Sequence, residues 1–256
     1  MTEFDHLPEI DRPDMVESEL IEQMRAAFMS RPRSLQSTIG PSGAGDPCTR
    51  AVIYQLAGRR EPPDARGGVN LKAEVGTMIH AGMEQIFRES PLTGRYLTEV
   101  KLNIGRYAGR DLTGTCDLFD VLAGGVIDHK SKGASMMLHH RRHGMGEQYR
   151  VQCQLYGLGW HRLGMKVNWV GCLFIPRDGE FRDVFLKAEP FDGNVGLAAL
   201  ARLDTLARLV DALGADGAAV QYPPCGDQWC RWCPSPRRYI PDGEQKANPF
   251  AQPKEK

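Results

Sequence analysis

The chain is 256 residues long, 41% hydrophobic and formally neutral, which allows one large domain or two small ones around a sizeable core. No apolar run approaches the roughly 20 residues that span a bilayer, and the acidic opening MTEFDHLPEIDRPD lacks the character of a secretory leader, so a membrane protein is excluded and a cytoplasmic one expected. The neutrality hides an asymmetry: the first 24 residues carry eight acids and one base, leaving the body net basic by seven, a surplus that permits a polyanionic partner without requiring one.

In chain order, polar, proline-bearing residues 1–13 read as a flexible acidic tail. Met15 to Phe28 has helical spacing, and after the glycine-rich break IGPSGAG a short helix is expected near Asp46 and Pro47, with Cys48 in its first turn. A third helix, about Leu71 to Phe87, aligns Leu71, Val75, Ile79, Met83 and Ile86 on one stripe. Three strands follow in TEVKLNI, RDLTGTCDLFDVL and GGVIDHK, the first alternating Val100, Leu102 and Ile104 with polar residues. Residues 147–163 return to helical spacing. KVNWVGCLFIPR and EFRDVFLKA read as a further strand pair, and a long helix covers about 192–213. Residues 240–256 read as a second flexible tail. The expected fold is α/β, a central mixed sheet flanked by helices in one domain over 14–239, with its core at 70–190.

Chemistry gathers at a few places. Acid-x-Lys occurs three times, as Glu99-Val100-Lys101, Asp128-His129-Lys130 and Glu244-Gln245-Lys246, and carries little by itself. Glu99 sits on an alternating strand whose polar face can simply be solvated. Asp128 has better company, because Asp117 of GTCD lies on the expected neighbouring strand and a short turn brings the two acids to one edge. Converging carboxylates repel unless a cation lies between them; the alternative is two surface acids paired with Lys130 and nearby arginines. Period-2 alternation puts Asp128 and Lys130 on one face. His80 follows Gly76 on one side of the third helix, and Gln152 and Tyr156 lie four apart on one helical face, where either a polar helix edge or a functional pair fits.

The succession GTMIH, Glu99, GTCD, VIDHK, QCQLY resembles that of the PD-(D/E)xK nuclease superfamily, in its RecB-like exonuclease branch. The resemblance spans His80 to Tyr156. It implies a restriction-endonuclease-like core in which His80, Asp117 and Asp128 bind Mg²⁺ or Mn²⁺ with the His129 backbone carbonyl. It further implies that Lys130 serves the attacking water and that Gln152 and Tyr156 sit beside the substrate backbone, with Glu99 among the catalytic candidates. LHHRRHG reads either as a solvated basic turn or as a phosphate contact, and Lys132, Arg141, Arg142 and Arg150 are the candidate DNA contacts.

Seven cysteines, at 48, 116, 153, 172, 225, 230 and 233, argue in a cytosolic chain for metal binding over disulfides. CGDQWCRWC concentrates three of them, a strong sign of a soft-metal site, with Trp229 and Trp232 interleaved; Cys116, Cys153 and Cys172 read as buried hydrophobes. The segments 46–58 and 222–235, with Cys48 in DPCTRAVIYQLAG, resemble the one-plus-three cysteine pattern of AddB-like and CRISPR-associated RecB-type exonucleases and their phage homologues. That implies a 4Fe-4S cluster on Cys48, Cys225, Cys230 and Cys233. The spacing departs from the expected order, with four residues before Cys230 and two before Cys233, which keeps a four-cysteine zinc site as the alternative. The expectation is therefore a DNA exonuclease acting on single-stranded ends, 5′ to 3′ by resemblance, in the cytoplasm of the host if phage-encoded. Its alternatives are an idle DNA-end-binding module of a recombination or CRISPR adaptation system and a zinc-stabilised endonuclease.

Overall fold

The computed structural model describes residues 13–29, 39–59, 71–227 and 230–233; the expected tails, apart from Pro13, which opens the first helix, and Trp229 lie outside the described residues. The helices are α1 (Pro13–Met29), α2 (Pro41–Ala44), α3 (Thr49–Leu56), α4 (Leu71–Arg88), α5 (Ala134–His143), α6 (Glu147–Arg162) and α7 (Gly193–Ala219). The strands are β1 (Tyr96–Tyr107), β2 (Arg110–Asp120), β3 (Gly125–Lys132), β4 (Trp169–Pro176) and β5 (Phe185–Pro190). They form one mixed sheet in sequence order. β1, β2 and β3 are an antiparallel meander, β4 runs parallel to β3 after a crossover through α5 and α6, and β5 pairs antiparallel with β4. A parallel neighbour cannot be reached by a tight turn, which is why the helices fall between β3 and β4. No described helix is long and apolar enough to cross a membrane.

The fold is thus the expected α/β sheet with flanking helices. α6 is buried along most of its length, from Gln152 to Trp160, and glycine lets it approach its neighbours closely: a Cβ on Gly157 would stand 2.6 Å from the Phe191 ring. Trp160 stacks on Phe119 of β2 at 4.4 Å between ring centroids. Fully buried Gln154 ties α6 to the β5–α7 connection, donating to Glu189 Oε1 at 2.6 Å and accepting from the Asp192 amide at 2.8 Å.

Three local readings are corrected. LHHRRHG is not a turn but the last part of α5, which buries Met137 and His140. EFRDVFLKA is not strand throughout, since Phe181–Asp183 is a 3₁₀ turn and β5 starts at Phe185. Cys48 is the N-cap of α3, its Sγ accepting from the Ala51 amide at 3.4 Å, while Asp46 Oδ1 accepts from the Cys48 amide.

The turn from β2 to β3 fixes the register on which the site depends. Buried Asp120 accepts from Arg95 Nη2 at 2.8 Å, and its other oxygen accepts from the amides of Leu122 and Ala123. The ladder then runs Asp120 with Gly125, Phe119 with Val126 and Leu118 with Ile127, and stops.

Candidate active site and four-cysteine centre

Asp117 and Asp128 are the next residues on each strand, at the point where β2 and β3 part. In place of a ladder bond, the His129 amide donates to Asp117 Oδ2 at 2.6 Å. The same oxygen lies 3.4 Å from His80 Nδ1 on α4 and 4.0 Å from His129 Nδ1. Burial works against the Asp117 charge, yet the His80 hydrogen bond and charge outweigh it and hold the carboxyl below its usual range. For His80 burial also opposes charge, and Asp117 reverses the direction, raising the imidazole.

Asp128 points to the opposite face of β3 from His129 and meets α6. It is 2% exposed. Lys130 Nζ lies 2.8 Å from its Oδ2 and Gln152 Nε2 donates to its Oδ1 at 2.9 Å, while Lys130 donates to Gln152 Oε1 at 3.0 Å, closing a triangle. Burial pushes Asp128 up to about 6, against the pull of Lys130 and with a smaller push from Asp117. Lys130 moves upward because Asp128 outweighs the burial that opposes its charge. The Lys130 ammonium also stands 4.6 Å from the Tyr149 ring centroid, and that of Lys132 5.0 Å. Tyr156 is buried beside Gln152, and burial, with the two aspartates, raises its phenol.

Glu99 occupies the register position facing Asp117, between the pairs Thr98–Leu118 and Val100–Cys116, in a left-handed backbone conformation with φ 50°. Such conformations in non-glycine residues concentrate at functional sites. Of the expected DNA contacts, Arg142 is exposed on α5. Arg141 donates to the Asp183 carbonyl and covers the Phe185 ring. Arg150 is committed to acids, with its Nε 3.1 Å from Glu189 and its Nη1 3.4 Å from Glu147.

The sequence reading did not assign two groups found here. Tyr149 lies one helical turn before Gln152, a spacing that already placed its ring on that face of α6. The imidazole of His129 faces α4, where the ligand atoms of His80, Asp117 and His129 lie within 4.8 Å of one another.

At the other end of the chain the Sγ atoms of Cys48, Cys225, Cys230 and Cys233 all lie within 4.8 Å of one another. Cys48 Sγ is 3.5 Å from that of Cys233 and 3.6 Å from that of Cys230. Trp232 stacks on Tyr54 of α3 at 5.3 Å. Four thiols are a soft-metal donor set. Drawn together in this way they could hold a single zinc ion or an iron-sulfur cluster. Cys116, Cys153 and Cys172 are buried, as expected, and belong to neither ligand group, although Cys172 is the β4 register partner of Asp128.

No protein-family model matches the chain and no curated protein matches it. Among solved structures, SSO0001 is 19% identical, covering 86% of this chain and 93% of its own, with a TM-score of 0.48. The alkaline exonuclease LHK-Exo from Laribacter hongkongensis is 14% identical over 75% of this chain and 93% of its own, with a TM-score of 0.47, and its structure in complex with dAMP matches equally well at 16% identity. These likenesses are distant.

Proposed function

We propose that residues 14–239 form a single nuclease domain, a metal-dependent deoxyribonuclease that degrades DNA from its ends. The observation that carries this reading is the fork after Leu118 and Ile127, where buried Asp117 gathers His80 and His129 into one ligand group while buried Asp128, the next residue on β3, is held by Lys130 and Gln152. That donor set suits a divalent cation, Mg²⁺ or Mn²⁺, which would supply charge stabilisation to the phosphodiester and its leaving oxygen.

The chain's own groups divide the remaining work. Asp117 and His80 hold the cation side of the site, and Asp128 shares its charge between that side and Lys130. Lys130, held as an ammonium beside Asp128, orients the attacking water and offers positive charge to the phosphate as negative charge develops there. Gln152 contacts both Asp128 and Lys130, so it sets their separation, and Tyr156 closes the wall behind Gln152. Lys132 and Arg142 offer charge to the phosphate backbone. Arg150, held by Glu147 and Glu189, serves the scaffold instead. The preference for single-stranded ends and the 5′ to 3′ direction rest on the motif resemblance, as do recombination or CRISPR adaptation partners.

The four cysteines join the α3 start to the C-terminal segment as a structural metal staple. Thiol chemistry supports either occupant, the 4Fe-4S cluster that the resemblance implies or a single zinc ion.

The test is degradation of end-labelled single-stranded and duplex DNA by the wild type and Lys130→Ala, with Mg²⁺, Mn²⁺ or chelator. Cation-dependent cleavage by the wild type alone is expected. A folded, metal-replete wild type that binds DNA ends and cuts nothing would leave an end-binding module instead.

A further inference from the structure

We propose that the His129 side chain is itself a metal ligand, so that His80, His129 and Asp117 form a two-histidine, one-carboxylate centre preferring Mn²⁺ or another borderline transition ion to Mg²⁺. The inference deepens the nuclease reading, on whose metal site it rests, and it differs from a role for the His129 backbone carbonyl alone.

Strand alternation turns His129 away from Asp128 and Lys130 and toward α4, the helix that carries His80. There the ring is 1% exposed, and neither Nδ1 nor Nε2 has a hydrogen-bond partner among the described residues. Two buried ring nitrogens with no protein partner are costly. A packing histidine normally satisfies at least one of them through a carbonyl or a hydroxyl. His129 does not. Its ring is instead held by stacking on Phe87, 5.9 Å between centroids and 17° between planes, and by an edge contact with the His80 ring, also at 5.9 Å. Both histidines present Nδ1 to one oxygen, Asp117 Oδ2, at 3.4 and 4.0 Å. An ion among these three atoms would satisfy one orphaned nitrogen and relieve the crowding of donors about a single carboxylate oxygen.

The donor set then sets the selectivity. Mg²⁺ favours oxygen ligands in a strict octahedron and retains water, whereas imidazole suits the transition ions that follow it in softness, and two imidazoles with one carboxylate are a recurrent open facial set for such ions. Manganese tolerates both kinds of donor. Phenylalanine at 129 would keep a ring to stack on Phe87 and lose both ring nitrogens.

The experiment uses the full chain without DNA. Mn²⁺ is titrated by electron paramagnetic resonance, and pulsed spectra of protein carrying ¹⁵N-histidine count the imidazoles on the ion in the wild type, His129→Phe and His80→Phe. Two imidazoles in the wild type, one in either variant, and a loss of about tenfold or more in Mn²⁺ affinity for His129→Phe with a smaller loss for Mg²⁺ are expected. The wild-type count needs no variant to fold. One imidazole in the wild type, no ordered Mn²⁺, or Mn²⁺ and Mg²⁺ held equally well would overturn the proposal. Two imidazoles on a chain that cleaves nothing would instead sink the nuclease reading and leave the ligand assignment standing.

Discussion

Replacing Lys130 with methionine keeps the length of the side chain and removes its charge, so the effect isolates the ion pair. Asp128, 2% exposed, loses the cation 2.8 Å away, and Gln152 Oε1 loses its donor. Even with Lys130 present Asp128 is pushed from 3.8 up to about 6, about 3 kcal/mol of differential cost at 1.36 kcal/mol per unit. A folded-state carboxyl raised above its unfolded value costs stability as pH rises past the unfolded value, and the cost levels off above the folded one. In the wild type this levelling comes near pH 6. In Lys130→Met the folded value moves higher still, so the deficit keeps growing through pH 7 and 8. Near pH 5 Asp128 is protonated, and the variant should be less stable by roughly 1 kcal/mol for the unmet Gln152 acceptor. At pH 8 the deficit should reach about 3–5 kcal/mol, the cost of stripping one partner from a buried pair. Urea unfolding of both proteins at half-unit pH intervals reads this out. A deficit that is flat from pH 5 to 8, or that shrinks as pH rises, would refute the placement of Asp128 and Lys130 as a buried coupled pair.

Three further outcomes follow from other parts of the molecule. Because His80 is raised by Asp117 and Asp128 stands near 6, protons compete with the cation, so Mn²⁺ affinity measured by calorimetry should strengthen from pH 5.5 to 8; affinity that is constant or weakens would contradict this. Cys48→Ser removes one of four sulfurs and should lower bound metal well below the wild-type stoichiometry and stability by on the order of 4 kcal/mol, measured by elemental analysis and thermal unfolding; four irons with four sulfides in the wild type would show that the thiols hold a cluster, and one zinc that they do not. Arg142→Ala should weaken single-stranded DNA binding regardless of sequence and reduce the slope of log affinity against log salt by about 0.7, and an unchanged slope would remove Arg142 from the phosphate path.

Much of this architecture was legible because the relevant elements carry their own period. The β1 alternation, the apolar stripe of α4 and the strand-turn-strand of β2 and β3 each announce themselves locally, and the last of these already put Asp117 beside Asp128. The α5 helix does not: ASMMLHHRRH has no continuous apolar stripe, and only Met137 and His140 are buried, so its helicity comes from packing against the sheet. The pairing of Arg150 with Glu147, three residues earlier on the same helix, was readable from spacing, but the Glu189 contact comes from β5 and was not. The His129 imidazole escaped for a different reason. Strand period tells which face a side chain takes, and only the docking of α4 on that face supplies His80 and Phe87 as its neighbours. The meeting of Cys48 with three cysteines about 180 residues later is likewise a product of tertiary structure, which motif resemblance could anticipate and local chemistry could not.

On the proposed reading, the fork between β2 and β3 holds the cation with which the chain cuts DNA. Asp117→Asn tests it most directly, since the amide keeps the shape of the side chain and removes the charge that faces His80 and His129. Degradation of an oligonucleotide labelled at either end should be rapid for the wild type with Mn²⁺, abolished by chelator, and reduced by several orders of magnitude in a folded Asp117→Asn that still binds the DNA. Equal cleavage by the two proteins, or cleavage that survives chelation, would contradict the account.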